Sequence, residues 1–436
     1  MLCISDFTMI LIFLLELAIL TLLLYKTLKD NNACFDCVVI VFFMLFFYIA
    51  PIIQINSKIL PNTMQVDTNL VIKSIILTNL FLLTYYVVRF HINFNVKLKD
   101  NKIKLWRITK IFLYIIFFLF LIPQLPKILN TVIGYGYVQN KITDSVRIKN
   151  LVIKECIFLI PLYILSYNIY LHKKKDNKFS FISCLIALIL LILVKNFFIE
   201  NRGTIAPIYL ALLIYLFKDK LNSKKIVSLF ILVFIIGYPV VEQIVHNNIK
   251  LTDFLNGSKS VAEIFNINYI QHFTKLDYDA WSNFLATIMY TNVYGFTCGR
   301  QILGSVLFFI PRFLWQTKPI ATGETIGRFL MHNTSMWFYN LSNPIVSEGY
   351  IDFGIIGVII YAIILAIVSR IIKNMISTDS YIAFVGIFIS VQMFLFLRGD
   401  MLSSISFLVA SIIGIYYIPL GVDSLFYRSF NSKLKN

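Results

Sequence analysis

The residues able to carry chemistry in this 436-residue chain gather in a few short stretches. Glu200-Asn201-Arg202-Gly203-Thr204 is squeezed between two apolar runs. Its Arg202 must sit at or just below lipid-headgroup depth, where a charge is costly unless paired or used. It is either an interfacial arginine held by Glu200 or a lipid phosphate, or a ligand for a phosphate or a sugar. Arg300, Arg312 and Lys318 bracket the apolar stretch Ile302–Phe309. That pattern fits an amphipathic helix lying in the interface. It also fits a pyrophosphate clamp, because arginine makes paired contacts to phosphate oxygens. Arg328 and His332 are four apart and share a face if helical. His332 is either structural or a general base, its unperturbed pKa being about 6.5. Glu348 and Asp352, also four apart, lie on one helix face inside an apolar run. Acids in a membrane helix are expensive. They either pair with Arg202 or Arg398, or Glu348 lines a polar cavity, and the second reading is preferred. Arg398, in the turn Arg398-Gly399-Asp400, adds a cation to that cavity, as do Arg147 and Lys149. The ensemble describes a basic cavity with one or two acids, suited to an anionic lipid headgroup such as a polyprenyl pyrophosphate.

Other chemistries lack their residues. There is no P-loop, no G-x-S-x-G, no H-E-x-x-H and no paired Cys/His site, and the five histidines are scattered. No metal and no cofactor is expected. Cys156 and Cys184 lie in apolar runs as packing residues. Cys34 and Cys37 form a lone C-x-x-C, and none of the six cysteines implies a disulfide framework.

The elements that must position these residues are membrane spans. Hydrophobic residues make up 58% and charged residues only 14%, against roughly 25% charged in soluble chains. Too little polar surface remains to cover the chain in water, so the expectation is an all-α polytopic membrane protein, a single integral domain over 1–436. Eleven runs approach the length of about 20 apolar residues that a crossing helix needs: 7–25, 38–55, 70–88, 108–125, 152–171, 179–199, 203–217, 226–245, 344–368, 381–397 and 403–420. One span more or fewer, 10–12 in all, is compatible with the same profile. Residues 1–25 lack a basic lead and a small-residue cleavage site, and read as a retained span. The formal charge is +17. Alternate connections carry net +15 on one side and +3 on the other. By the positive-inside rule the first side is cytoplasmic, which puts the N-terminus out and the C-terminus in. The basicity therefore needs no nucleic-acid partner. The segment 246–343, between spans 8 and 9, is a long outward loop. Its stretches Phe284–Tyr290 and Ile302–Leu314 are expected on or in the membrane surface, with Trp281, Trp315 and Trp337 near the interface. Long ordered loops are more often functional than connecting.

Three patterns resemble a family. They are Asn201-Arg202-Gly203 heading a span, Pro311-Arg312-Phe313-Leu314-Trp315 followed by Lys318-Pro319, and Ser347-Glu348-Gly349-Tyr350-Ile351-Asp352-Phe353-Gly354-Ile355-Ile356-Gly357. With the hydropathy profile over most of the chain, they resemble bacterial oligosaccharide repeat-unit polymerases of the Wzy type, which make O-antigen or capsule. The resemblance implies a GT-C-like, metal-independent glycosyltransferase of the bacterial cytoplasmic membrane. It implies donors and acceptors that are undecaprenyl-pyrophosphate-linked oligosaccharides, with a chain-length regulator and a flippase as partners. Carried over, substrate binding falls to Arg202, Arg300, Arg312, Arg328 and Arg398 with Lys318. The base is Glu348, then His332, then Asp352. The neighbouring readings are an O-antigen ligase, which shares the architecture, and a flippase or transporter, which predicts charges spread through mid-span and internal symmetry. Charges here gather at one face instead, Glu16 being the clearest exception.

Overall fold

The computed structural model describes residues 6–30, 33–91, 103–133, 151–196, 202–219, 222–237, 239–240 and 268–433. Among them the chain is helix and turn, with no strand. The helices are α1 Asp6–Thr27, α2 Cys34–Phe43 (continuing through a π turn into α3 Ala50–Ser57), α4 Thr68–His91, α5 Trp106–Leu121 and α6 Leu125–Ile133. Next come α7 Ile160–Lys173, α8 Phe181–Val194, α9 Arg202–Leu216 and α10 Ser223–Leu232. The remainder are α11 Tyr269–Phe273, α12 Ala280–Tyr294, α13 Arg300–Val306, α14 Thr322–Asn333, α15 Ile345–Ser377, α16 Ile382–Arg398, α17 Met401–Ile412 and α18 Ile418–Lys433.

Seven stretches are long and apolar enough to cross a bilayer: Asp6–Thr27, Cys34–Ser57, Thr68–His91, Trp106–Leu129, Val152–Lys173, Ile345–Ser377 and Met401–Ser429. Three shorter apolar helices are Phe181–Val194, Gly203–Leu216 and Ile382–Arg398. This is an all-α, multi-pass membrane protein. Each of these stretches coincides with one run expected from the sequence. The remaining run, 226–245, is helical to Gly237 and lies largely outside the described residues beyond it.

Connections assigned to one side of the membrane meet one another. On the basic side Lys173 pairs with Asp219 and Lys174 with Asp379, each at 2.8 Å. The Lys218 ammonium donates to the Ile376 carbonyl at 2.8 Å. Asp423 accepts from the backbone of Lys104 and Leu105 at 3.0 and 2.8 Å. Slightly deeper, buried Arg89 and Asp36 pair at 2.7 Å, with Ser369 donating to Asp36 at 2.6 Å. At the other end Asn62 donates to the Ser282 carbonyl at 2.7 Å and Gln54 to the Phe273 carbonyl at 2.9 Å.

Two expectations are corrected here. Phe284–Tyr290 is not a surface helix. The helix containing it, α12, runs through the interior, with Trp281, Phe284 and Leu285 buried. Trp281 stands edge-on to Phe13 at 5.7 Å and its indole N–H donates to Ser74 Oγ at 3.1 Å, so the whole ring packs inside the protein with its polar atom satisfied. The second concerns α15, which is not one straight helix. Gly354 has φ +62° and the helix breaks at Phe353-Gly354, a backbone that L side chains adopt only with strain. The leading piece, through Asp352, folds back on the rest. A side chain at Gly357 would meet the Gly349 carbonyl at 1.8 Å, so only hydrogen fits between them.

Candidate functional site

The break in α15 leaves the carbonyls of its last leading turn without helical donors. The segment before α13 supplies them: Thr297 N–H donates to the Ile351 carbonyl and Cys298 N–H to the Asp352 carbonyl, each at 2.9 Å. Asp352 then caps α13 from outside. Its carboxylate accepts from the N–H groups of Gln301 and Ile302 at 3.1 and 3.0 Å, from Thr297 Oγ1 at 2.5 Å and from the Tyr361 hydroxyl at 2.8 Å. Both oxygens are thus engaged in a site with no exposure. A carboxylate held this way stabilises a helix start, and it has no lone pair turned toward an incoming group. Asp352 positions α13 against α15.

Glu348, one turn earlier, has different company. It is 1% exposed. Its Oε1 accepts from the Thr322 hydroxyl, the first residue of α14, and from the Met401 N–H, the first residue of α17, at 2.9 Å. Its Oε2 has no hydrogen-bond partner among the described residues, nor does any described cation pair with it. The start of α14, through a side-chain hydroxyl, and the start of α17, through a backbone N–H, thus meet one oxygen of a buried carboxyl group. The alternative of a pairing with Arg398 does not occur.

Arg398 instead donates to Asp279 at 3.1 Å and to the Leu276 carbonyl at 2.9 Å. Asp279 is buried at the start of α12 and accepts from Ser342 Oγ at 2.5 Å and Asn283 at 2.9 Å. Burial pushes the Asp279 carboxyl above its ordinary range, and the Arg398 guanidinium pulls it back. Asp400, beside Arg398, is likewise pushed up by burial. Asp279 was invisible as a site residue in the sequence. Its signal is a lone acid just ahead of Ala280-Trp281, which reads there as a helix start and nothing more.

The cations of the outer segment fall into two groups. Arg300 donates to the Thr317 carbonyl. Arg312 donates to the carbonyls of Lys318 and Pro319 at 2.8 and 3.2 Å, and the Lys318 ammonium to those of Phe308 and Ile310 at 2.6 and 2.9 Å. These three side chains tie the 307–319 turn together, so their first effect is to shape the approach to α14. Arg328 lies on the exposed face of α14, paired with Glu324 at 2.7 Å and 5.0 Å from the Tyr339 ring centre. His332 is exposed one turn on. Trp315 donates to Thr317 within the turn and Trp337 is exposed. The Arg202 side chain and Arg147 and Lys149 lie outside the described residues. Among the described residues no cluster of His, Cys, Asp and Glu could hold a metal ion. Cys34 and Cys37 are buried, unbonded neighbours on α2.

The structure thus sets Glu348 against Thr322 at the start of α14, leaves Arg328 and His332 on the exposed face of that helix, and gives Asp352 and Arg398 to holding the surroundings. Compared with the models of known families, with curated proteins and with solved structures, the chain matches none.

Proposed function

We propose that the protein is a membrane glycosyltransferase that polymerises undecaprenyl-pyrophosphate-linked oligosaccharides at the outer face of the bacterial cytoplasmic membrane. The observation that carries this reading is Glu348: a buried acid with no paired cation and one uncommitted oxygen among the described residues, at the end of the molecule opposite the lysine-rich connections. An unpaired buried carboxylate is expensive, and a site that maintains one has a use for its oxygen.

In this reading the Glu348 Oε2 takes the proton from a hydroxyl of the acceptor unit. The acceptor's hydroxyl oxygen attacks the anomeric carbon of the donor glycan, and the bond from that carbon to the diphosphate oxygen breaks. The diphosphate leaves with the bonding pair on its lipid, and Glu348 holds the proton. Cations (Arg300 and Arg328 on the outer segment and Arg202, whose side chain lies outside the described residues) stabilise the departing charge. A single displacement with one base inverts the anomeric carbon. His332 is the second candidate base. Eleven crossings, a GT-C-like arrangement, the inward C-terminus and cooperation with a flippase and a chain-length regulator belong to the same proposal.

The test is polymer synthesis by Glu348→Gln protein in cells lacking the native chain. Loss of long polymer, with the protein still present in the membrane, supports the reading. Normal polymer from that variant removes Glu348 as base.

A further inference from the structure

A base must reach the hydroxyl it deprotonates, yet Glu348 is 1% exposed and roofed by the first turn of α14. We infer that α14 is a hinged cover over Glu348, lifting to admit substrate and closed in the state described here. This inference deepens the reading just given and rests on it for the identity of the substrate, but not for the motion.

The construction of α14 favours displacement as a unit. It is a helix of twelve residues. The chain on either side, 316–321 and 334–344, is largely not helical, so both ends can swing without breaking helical turns. Its inner face meets the 339–342 strap through glycines. A side chain added at Gly323 would lie 2.0 Å from the Leu341 carbonyl oxygen, and one at Gly327 would lie 2.1 Å from that of Tyr339. At those two glycines the contact is backbone on backbone; the other inner side chains, Ile326, Phe329 and Leu330, are buried, with Phe329 edge-on to Tyr290 and Tyr294, and these apolar contacts must part when α14 lifts. The ends carry two polar ties, Thr322 to Glu348 at the start and Thr334 to Thr63 Oγ1, at 3.0 Å, at the finish. The first is a hydroxyl donating to a carboxyl group, the second a bond between two hydroxyls, and both can reform when the helix returns. The outer face presents Arg328 and His332 to solvent, so a ligand attracted there meets the cover before the acid.

Thr63 and Thr334 provide the lock. Their hydroxyl oxygens are 3.0 Å apart, which brings the sulfurs of paired cysteines near each other, and disulfide formation is checked by the loss of free thiol on oxidation. The double variant Thr63→Cys/Thr334→Cys is made with Cys298, an exposed thiol, replaced by serine. The purified protein is treated with a water-soluble carbodiimide and an amine, and modification of Glu348 is read by peptide mass spectrometry, oxidised against reduced. The expected result is modification in the reduced protein, lowered at least tenfold by oxidation and restored by reductant, with polymer synthesis following the same order. Equal modification in both states, or none in the wild-type chain, overturns the cover. Because labelling does not depend on polymer, a wild-type chain that makes none defeats the proposed function while leaving the cover to be judged on its own.

Discussion

Glu348 and Asp352 stand one helical turn apart and meet opposite surroundings, and the difference assigns their roles. Asp352 accepts four hydrogen bonds from three segments. Asp352→Ala strands two backbone N–H groups and a buried tyrosine hydroxyl, so it is expected to destabilise the protein by about 3–5 kcal/mol, read as a large fall in Tm in detergent. Glu348→Gln keeps the shape and the acceptor for Thr322 and Met401. It is expected to leave Tm nearly unchanged while activity falls about 10²–10⁴-fold. Arg328 is more than half exposed and its pair with Glu324 is a surface one, so Arg328→Ala is expected to spare folding and to raise KM for the lipid-linked donor in a membrane assay. Arg312→Ala, by contrast, is expected to lower stability and activity together, because its bonds close the 307–319 turn.

At the scale of elements, the apolar runs were legible because a crossing helix must be long and apolar, and composition alone reports both. The break in α15 was not. Phe353-Gly354 follows Asp352 directly and opens a long apolar run, and nothing in periodicity distinguishes a glycine that packs from a glycine at φ +62°. The consequence is that the pair of acids lies on a short leading helix rather than on the long one. Gly354→Ala is expected to cost roughly 1–3 kcal/mol through backbone strain, measured as a lowered Tm. Gly357→Ala, which would drive a methyl into the Gly349 carbonyl, is expected to fold worse than Gly354→Ala. The interior course of α12 was hidden for a related reason. Its fifteen residues are too few to cross, and amphipathicity does not say whether such a helix lies on lipid or on protein. Of the candidate site, the residue types and the acid that stands apart were readable. Which arginines serve the loop's own carbonyls was not, since a guanidinium suits a backbone carbonyl and a phosphate equally well.

For the whole molecule, the connections that alternate by charge meet at two ends, and the proposed orientation puts the lysine-rich end in the cytoplasm. Single cysteines in place of Lys174 and Arg328, in the Cys298→Ser chain, test it. The one at 328 is expected to react with an impermeant maleimide on intact spheroplasts, and the one at 174 only after permeabilisation. The central claim is tested most directly by a gel of surface polysaccharide from cells lacking this chain, complemented with wild-type or Glu348→Gln protein. The account predicts that the ladder collapses to single repeat units on their final acceptor, that wild-type protein restores it and that Glu348→Gln does not. A full ladder in the deleted cells, or long polymer still on its lipid carrier beside a bare acceptor, would contradict it, the latter showing a ligase instead.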